Sequence, residues 1–268
     1  MNAWTQHDLF DLEGLSRGEI ELILETVKSF KEVSTRDVKK VPALRGKTVV
    51  MLFFEPSTRT RVSFELAAKR LSTDTLNITA SASSLTKGES IVDTAKNIEA
   101  MNVDMIVVRH KSAGVPKILA RHLTSSVINA GDGCRAHPTQ ALLDMFTIQE
   151  KLGRIEGVKV AIIGDILHSR VARSNIFGLT KLGARVTLCG PSTLIPPGIE
   201  RTGVSVTHDV DEVIRTHDVL MFLRLQRERQ EENFFPSIRE YIRVFGVDAT
   251  RLKQAKKDVI IMHPGPVN

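Results

Sequence analysis

The sequence predicts an α/β protein made of two open, parallel-sheet domains with an active site in the cleft between them. Three observations predict it. Short apolar runs of strand length recur along the chain. Helix-length segments separate them, which makes the strands parallel members of βαβ units. The chain has 268 residues, and at roughly 100–200 residues per domain that length suits two domains around one shared cleft.

The elements follow in order. Residues 17–30 carry the periodicity of an amphipathic helix, and Pro42 and Gly46 mark the loop after it. K-T-V-V-M-L-F-F (residues 47–54) is a short apolar run, as a buried strand is. A polar turn and a helix through residue 71 come next, then a strand at 75–80, a helix at 93–101 and strands at 105–108 and 126–130. A connecting helix is expected at 139–152, with the domain boundary near 136–139. The second system opens with K-V-A-I-I-G (residues 159–164), followed by a helix at 170–182 and a strand at 185–189 that Gly190 and Pro191 end. Further strands are expected at 204–207, 219–223 and 259–262.

Composition narrows the function classes. The hydrophobic fraction is 42% and the charged fraction 25%, as in soluble globular proteins. No apolar run reaches the ~18 residues of a membrane span. Residues 1–10 hold Trp4, His7 and Asp8 without an apolar core, which is unlike a signal peptide. The two cysteines, Cys134 and Cys189, form no Cys-x-x-Cys pair, and a reducing cytoplasm fits them as structural thiols. No His pair has helical metal-ligand spacing, so no metal is expected. The net charge is +6, but basic residues are dispersed and aromatics make up only 5%. Base-stacking platforms are therefore scarce, and a positive cleft for small anions explains the charge better than nucleic acid. G-x-G-x-x-G is absent after the strand that ends at Gly164, which argues against a dinucleotide.

The most informative segment is E-P-S-T-R-T-R-V-S-F-E (residues 55–65), placed between a buried strand and a helix. Ser57 or Thr58 can cap that helix, and Pro56 suits its entry. A helix N-terminus offers unpaired N–H groups and partial positive charge. With Ser57, Thr58, Arg59 and Thr60 it makes a cradle for phosphate. Local physics alone favours an ordinary capped helix with surface arginines, because Ser and Thr caps are common.

Residues 53–65 as a whole, F-F-E-P-S-T-R-T-R-V-S-F-E, resemble the carbamoyl phosphate motif of the carbamoyltransferases. S-S-L-T-K-G-E (83–89) resembles a loop of the aspartate branch. V-V-R-H (107–110), N-A-G-D-G (129–133), H-P-T-Q-A-L-L-D (137–144), G-D-I-L-H-S-R (164–170), R-L-Q (224–226) and H-P-G-P (263–266) follow in the family's order. The resemblance spans nearly the whole chain, and an ordered set of this kind is highly specific.

The resemblance implies transfer of the carbamoyl group of carbamoyl phosphate to the α-amine of L-aspartate, an early step of de novo pyrimidine biosynthesis, without a cofactor. Residues 1–138 then bind carbamoyl phosphate and residues 139–268 bind aspartate. Ser57, Thr58, Arg59 and Thr60 hold the phosphate, and Arg109 bridges phosphate and the carbamoyl oxygen. Thr60 and His137 also reach that oxygen, which makes Thr60, Arg109 and His137 the catalytic set, and Gln140 takes the carbamoyl nitrogen. Ser83 and Lys87 come from a neighbouring subunit of a homotrimer, and Lys87 joins Arg170, Arg224 and Gln226 in binding aspartate. The backbone carbonyls of Gly265 and Pro266 accept from substrate nitrogens, although some relatives have leucine in place of Gly265. Regulatory chains or dihydroorotase are further partners that some relatives bind. Relatives usually continue past the last motif with a helix that packs on the first domain, whereas the sequence given ends at Asn268.

The chemistry requires these residue types. Attack of an amine on a carbonyl carbon builds negative charge on the carbonyl oxygen, which preset cationic and hydrogen-bonding groups stabilise. A phosphate polyanion leaves opposite Arg59, Arg109 and Lys87, and two aspartate carboxylates suit two guanidinium forks. Two other readings compete. An ornithine-specific relative typically carries a cysteine in the last motif, where this chain has Pro264, and a different motif in place of R-L-Q. A non-catalytic paralogue would not need candidate residues intact in both halves.

Overall fold

A computed structural model of the chain describes residues 4–79, 89–226 and 237–265. The chain forms two compact units, Met1–Thr139 and Gln140–Asn268.

The first unit opens with helix α1 (Arg17–Val33). Its start is a capping box: the Ser16 side chain accepts from the Glu19 N–H, and the Glu19 side chain accepts from the Ser16 N–H. The helix runs three residues beyond the expected end at 30, because Val33 is one more buried apolar position on its inner face. Strands β1 (Thr48–Phe53), β2 (Asp74–Thr79), β3 (Met105–His110) and β4 (Ser126–Asp132) make one sheet in the order β2-β1-β3-β4, all parallel. Helices α2 (Thr58–Arg70), α3 (Ile91–Glu99) and α4 (Val115–Ala120) are the crossovers. Strand β1 shows why the runs read as continuously apolar. Val50 and Leu52 pack on one face with Ile98 and Leu119, and Val49, Met51 and Phe53 pack on the other with Ala68. A strand covered on both faces leaves no polar alternation to see.

Helix α5 (Pro138–Leu152) carries the chain into the second unit. There β5 (Lys159–Ile163), β6 (Arg185–Cys189), β7 (Ser205–Thr207), β8 (Val219–Phe222) and β9 (Ile260–Met262) form a parallel sheet in the order β7-β6-β5-β8-β9. Helices α6 (Arg170–Lys181), α7 (Val210–Thr216), α8 (Ile238–Phe245) and α9 (Ala249–Leu252) complete it.

The expected strands are all present within a few residues, and the short helices α4, α7, α8 and α9 were not anticipated. Each is eight residues or fewer, too short for periodicity to register, and α4 has Pro116 near its start. The caps of α7, α8 and α9 were nevertheless visible in the sequence. Asp209, Ser237 and Asp248 each accept from the N–H three residues on. In both sheets the chain order reverses once, at β1/β3 and at β5/β8. Open α/β sheets leave a crevice at such a switch, beyond the strands' carboxyl ends.

Substituting Ser16→Ala removes one half of the capping box of α1. The expected loss is about 1 kcal/mol of folding stability in urea titration, and an unchanged midpoint would show that α1 does not depend on its cap.

Candidate active site

Several of the described candidate residues follow the strand ends at which the chain order reverses in each sheet. In the first unit, Ser57, Thr58, Arg59 and Thr60 open α2 directly after β1, and Arg109 stands in the last turn of pleat on β3. Thr58 and Arg59 are exposed, and Ser57 and Thr60 half-buried. Ser57 occupies the N-cap position, but its hydroxyl does not cap the helix as expected. It donates instead to the Thr60 hydroxyl at 2.9 Å. This contact ties the two hydroxyls together across the first turn and leaves the helix's leading N–H groups to other acceptors.

Arg109 is only 8% exposed. One guanidinium nitrogen donates to Glu55 Oε1 at 2.6 Å and another to the Ala130 carbonyl at 3.1 Å. The side chain is therefore held from the ends of the strands on either side of its own. The sheet deforms to allow it. Val108 pairs with Asn129 but His110 pairs with Asp132, so β4 carries one extra residue opposite Arg109. A bulge of this kind re-aims groups at a strand end. Gly131, at φ 119°, provides the backbone for it, and its N–H donates to Asn129 Oδ1 at 2.8 Å.

Asp132, fully buried, organises the next turn. Its carboxylate accepts from Asn129 Nδ2 at 2.8 Å, the Ala136 N–H at 3.1 Å and the Gly114 N–H at 2.7 Å. Gly133 closes the turn where any Cβ would stand 2.9 Å from the Ala113 nitrogen. The turn delivers His137, 8% exposed, to the start of α5.

In the second unit, Arg170 begins α6 after β5, while Arg224 and Gln226 follow β8, the strand paired with β5. Leu223 and Leu225 are buried and alternate with half-buried Arg224 and Gln226. Arg224 donates to Gln226 Oε1 at 3.4 Å, so the two expected partners meet. Gly164 makes the β5 exit passable: at φ 125°, a Cβ there would lie 2.7 Å from the Leu223 carbonyl oxygen. Asp165, fully buried, then accepts from the Gln226 N–H at 3.2 Å and from the His168 N–H at 3.1 Å. Gly265 lies beyond β9, next to β8, with its N–H donating to His263 Nδ1 at 2.8 Å. Gln140, in the first turn of α5, donates to Asp144 at 2.9 Å. Burial pushes the Asp144 carboxyl up to about 6. Ser83, Lys87 and Pro266 lie outside the described residues.

Among the described residues no three His, Cys, Asp or Glu side chains gather as a metal ion requires, and no helix is long and apolar enough to cross a membrane. Cys189 is buried and its thiol is pushed up to about 12 by that burial, as suits a structural thiol.

Two family models match the chain: the aspartate/ornithine carbamoyltransferase carbamoyl-P binding domain over residues 7–150, and the Asp/Orn binding domain over residues 156–268. The chain belongs to the aspartate/ornithine carbamoyltransferase family. Within it, the chain is 60% identical over 261 residues to an aspartate carbamoyltransferase catalytic subunit of Desulfosudis oleivorans, covering 97% of this chain and 84% of the relative. It is 56% identical to the corresponding subunit of Heliobacterium modesticaldum, covering 99% and 85%. Among solved structures, aspartate transcarbamoylase of Trypanosoma cruzi in complex with carbamoyl aspartate and phosphate superposes with a TM-score of 0.88 at 30% identity, covering 97% of this chain and 85% of that one. This carbamoyltransferase fold thus has its cationic and amide side chains at strand ends and helix starts, and beside them acids that sequence reasoning left without roles: half-buried Glu55 and buried Asp132, Asp144 and Asp165. The signal was present, since each lies inside a quoted motif.

Replacing Asp132 by alanine strands three N–H donors in a buried turn. The expected cost is about 3 kcal/mol or more in denaturant unfolding, and a loss below about 1 kcal/mol would show that the turn is held by other contacts.

Proposed function

We propose that the chain transfers the carbamoyl group of carbamoyl phosphate to the α-amine of L-aspartate, giving N-carbamoyl-L-aspartate and phosphate. The observation that carries this reading is the pair of cation-bearing switch-point clusters, one in each unit. At one, Ser57, Arg59 and Thr60 lie at the start of the helix after β1 and Arg109 lies near the end of neighbouring β3; at the other, Arg170 opens the helix after β5, and Arg224 and Gln226 follow neighbouring β8. Residues 1–138 take carbamoyl phosphate and residues 139–268 take aspartate.

The α2 N-terminus, Ser57, Thr58, Arg59 and Thr60 bind the phosphate. Arg109, Thr60 and His137 stabilise the carbonyl oxygen as the amine attacks and its C–O bond gains single-bond character. Gln140 accepts from the carbamoyl nitrogen. The new C–N bond forms, the bond from carbon to the phosphate oxygen breaks, and the departing phosphate is basic enough to take the amine's proton. Arg170 and Arg224 pair with the two aspartate carboxylates, with Gln226 and Lys87 beside them. The carbonyls of Gly265 and Pro266 accept from substrate nitrogens. Holding both substrates supplies much of the remaining rate. A cytoplasmic homotrimer, with Ser83 and Lys87 given to a neighbour's site, completes the proposal.

An assay with aspartate and ornithine offered in parallel tests the function, and only aspartate is expected to be carbamoylated. Arg59→Ala should cost tens- to hundreds-fold in catalytic efficiency, about 2–4 kcal/mol. Arg224→Ala should impair use of aspartate while sparing equilibrium binding of carbamoyl phosphate. Equal loss of both in folded Arg224→Ala would contradict the division between the units.

Shared sites have their own test. Arg59→Ala and Lys87→Ala homotrimers should each be inactive. Random 1:1 reassembly should leave roughly a quarter of sites with both groups intact, by the cyclic symmetry of a trimer. If the mixed trimers form and stay as inactive as their parents, Lys87 does not act across an interface.

A further inference from the structure

We propose that Asp144 is a positioning residue that fixes which end of the Gln140 amide faces the carbamoyl group. The inference rests on the reading of Gln140 as the acceptor for the carbamoyl nitrogen. A glutamine amide has a donor end and an acceptor end of nearly equal shape, so an amide free to flip would present N–H groups to a substrate NH2 as readily as oxygen.

The second unit removes that freedom. Asp144 lies one turn after Gln140 on α5, and its Oδ1 accepts from Gln140 Nε2 at 2.9 Å. Its other oxygen, Oδ2, accepts from Asn175 Nδ2 at 2.7 Å. Asn175 is fully buried on α6 and is itself oriented, since the same nitrogen donates to the Val171 carbonyl at 3.1 Å. Both carboxylate oxygens are thus occupied by N–H donors whose directions the helices set. An ionised carboxylate has only acceptors, so a flipped Gln140 would bring oxygen against oxygen. The Gln140 oxygen is left as the end turned away from Asp144 and offered to the substrate nitrogen. Burial pushes the Asp144 carboxyl up to about 6, which still leaves it ionised at neutral pH and above.

Asp144 is 5% exposed, so a role in packing α5 against α6 must be separated from a role in aiming Gln140. Asp144→Asn is nearly isosteric but has one donor and one acceptor. Asn175 keeps the acceptor, the new NH2 faces Gln140, and the Gln140 amide turns over. Steady-state kinetics at pH 8 on Gln140→Ala, Asp144→Asn and the double variant form a cycle. Gln140→Ala and Asp144→Asn should each lower kcat/KM for carbamoyl phosphate at least tenfold. In the Gln140→Ala background, Asp144→Asn should lower it less than twofold further. An Asp144→Asn enzyme equal to wild type, or one that loses the same factor with and without Gln140, overturns the inference and leaves the reading of Gln140 standing. A Gln140→Ala enzyme with unchanged kinetics overturns that reading itself, and the inference with it. Where Asp144→Asn alone does not fold, the exchanged pair of Gln140→Glu with Asp144→Asn carries the test. It restores one donor and one acceptor at the contact and keeps the charge, and it should exceed Gln140→Glu alone in kcat/KM. A pair no better than Gln140→Glu alone rejects the inference.

Discussion

A guanidinium anchored in the interior at the end of three parallel strands is the constraint on which the first unit's architecture turns. Arg109 lies on β3, and it donates to Glu55, just past β1, and to the Ala130 carbonyl on β4. Removing Glu55 would leave the buried guanidinium without its nearest counter-charge. The ends of β1, β3 and β4 are therefore linked by one side chain. The link needs the bulge in β4 to bring the Ala130 carbonyl into reach, and the bulge needs Gly131. Sheet register, backbone conformation and the position of a candidate catalytic cation are here one problem with one solution.

The same logic recurs wherever a cation or amide is to be aimed. Asp132 gathers the N–H groups of the turn that leads to His137. Asp165 accepts from the backbone of Gln226 beside Arg224. Asp144 takes the donor end of Gln140. All three acids are buried; Asp132 and Asp165 accept from backbone N–H groups, and Asp144 from two side-chain amides. A chain of net charge +6 thus keeps acids in the interior behind the groups meant for anions. Buried acceptors that are fully used fix geometry in a way that exposed ion pairs, worth under about 1 kcal/mol, cannot.

The strands were legible because parallel strands covered on both faces leave continuous apolar runs, and β1, β5 and β6 lie within a residue of expectation. Helices of four to eight residues were not, since their length is below what a period of 3.6 can reveal. The candidate site was legible as motifs, and the meeting of Arg224 with Gln226 follows from their spacing of two on an extended segment. What the sequence hid was the division of labour inside each motif. Ser57 reads as a cap from its type and position, but nothing in the run says that its hydroxyl turns to Thr60 instead. N-A-G-D-G likewise does not announce a bulge, because the extra residue is defined only by its partner strand. The supporting acids were visible as letters but mute, since an acid's role depends on which N–H groups surround it.

Topology explains why so few elements suffice. A parallel sheet whose strand order reverses leaves its two central strands with connections departing to opposite faces, so the space beyond their carboxyl ends stays open. Both sheets reverse once, and each reversal is flanked by the start of a helix: α2 after β1 and α6 after β5. Helix starts carry partial positive charge, and the strand across each switch adds an arginine, Arg109 or Arg224. Each unit thereby sets arginines and a helix start at its own strand-order switch. A substrate pair of an acyl phosphate and a dicarboxylate asks for two anion-directed sites, and a fold that repeats one topological solution twice supplies a place for each.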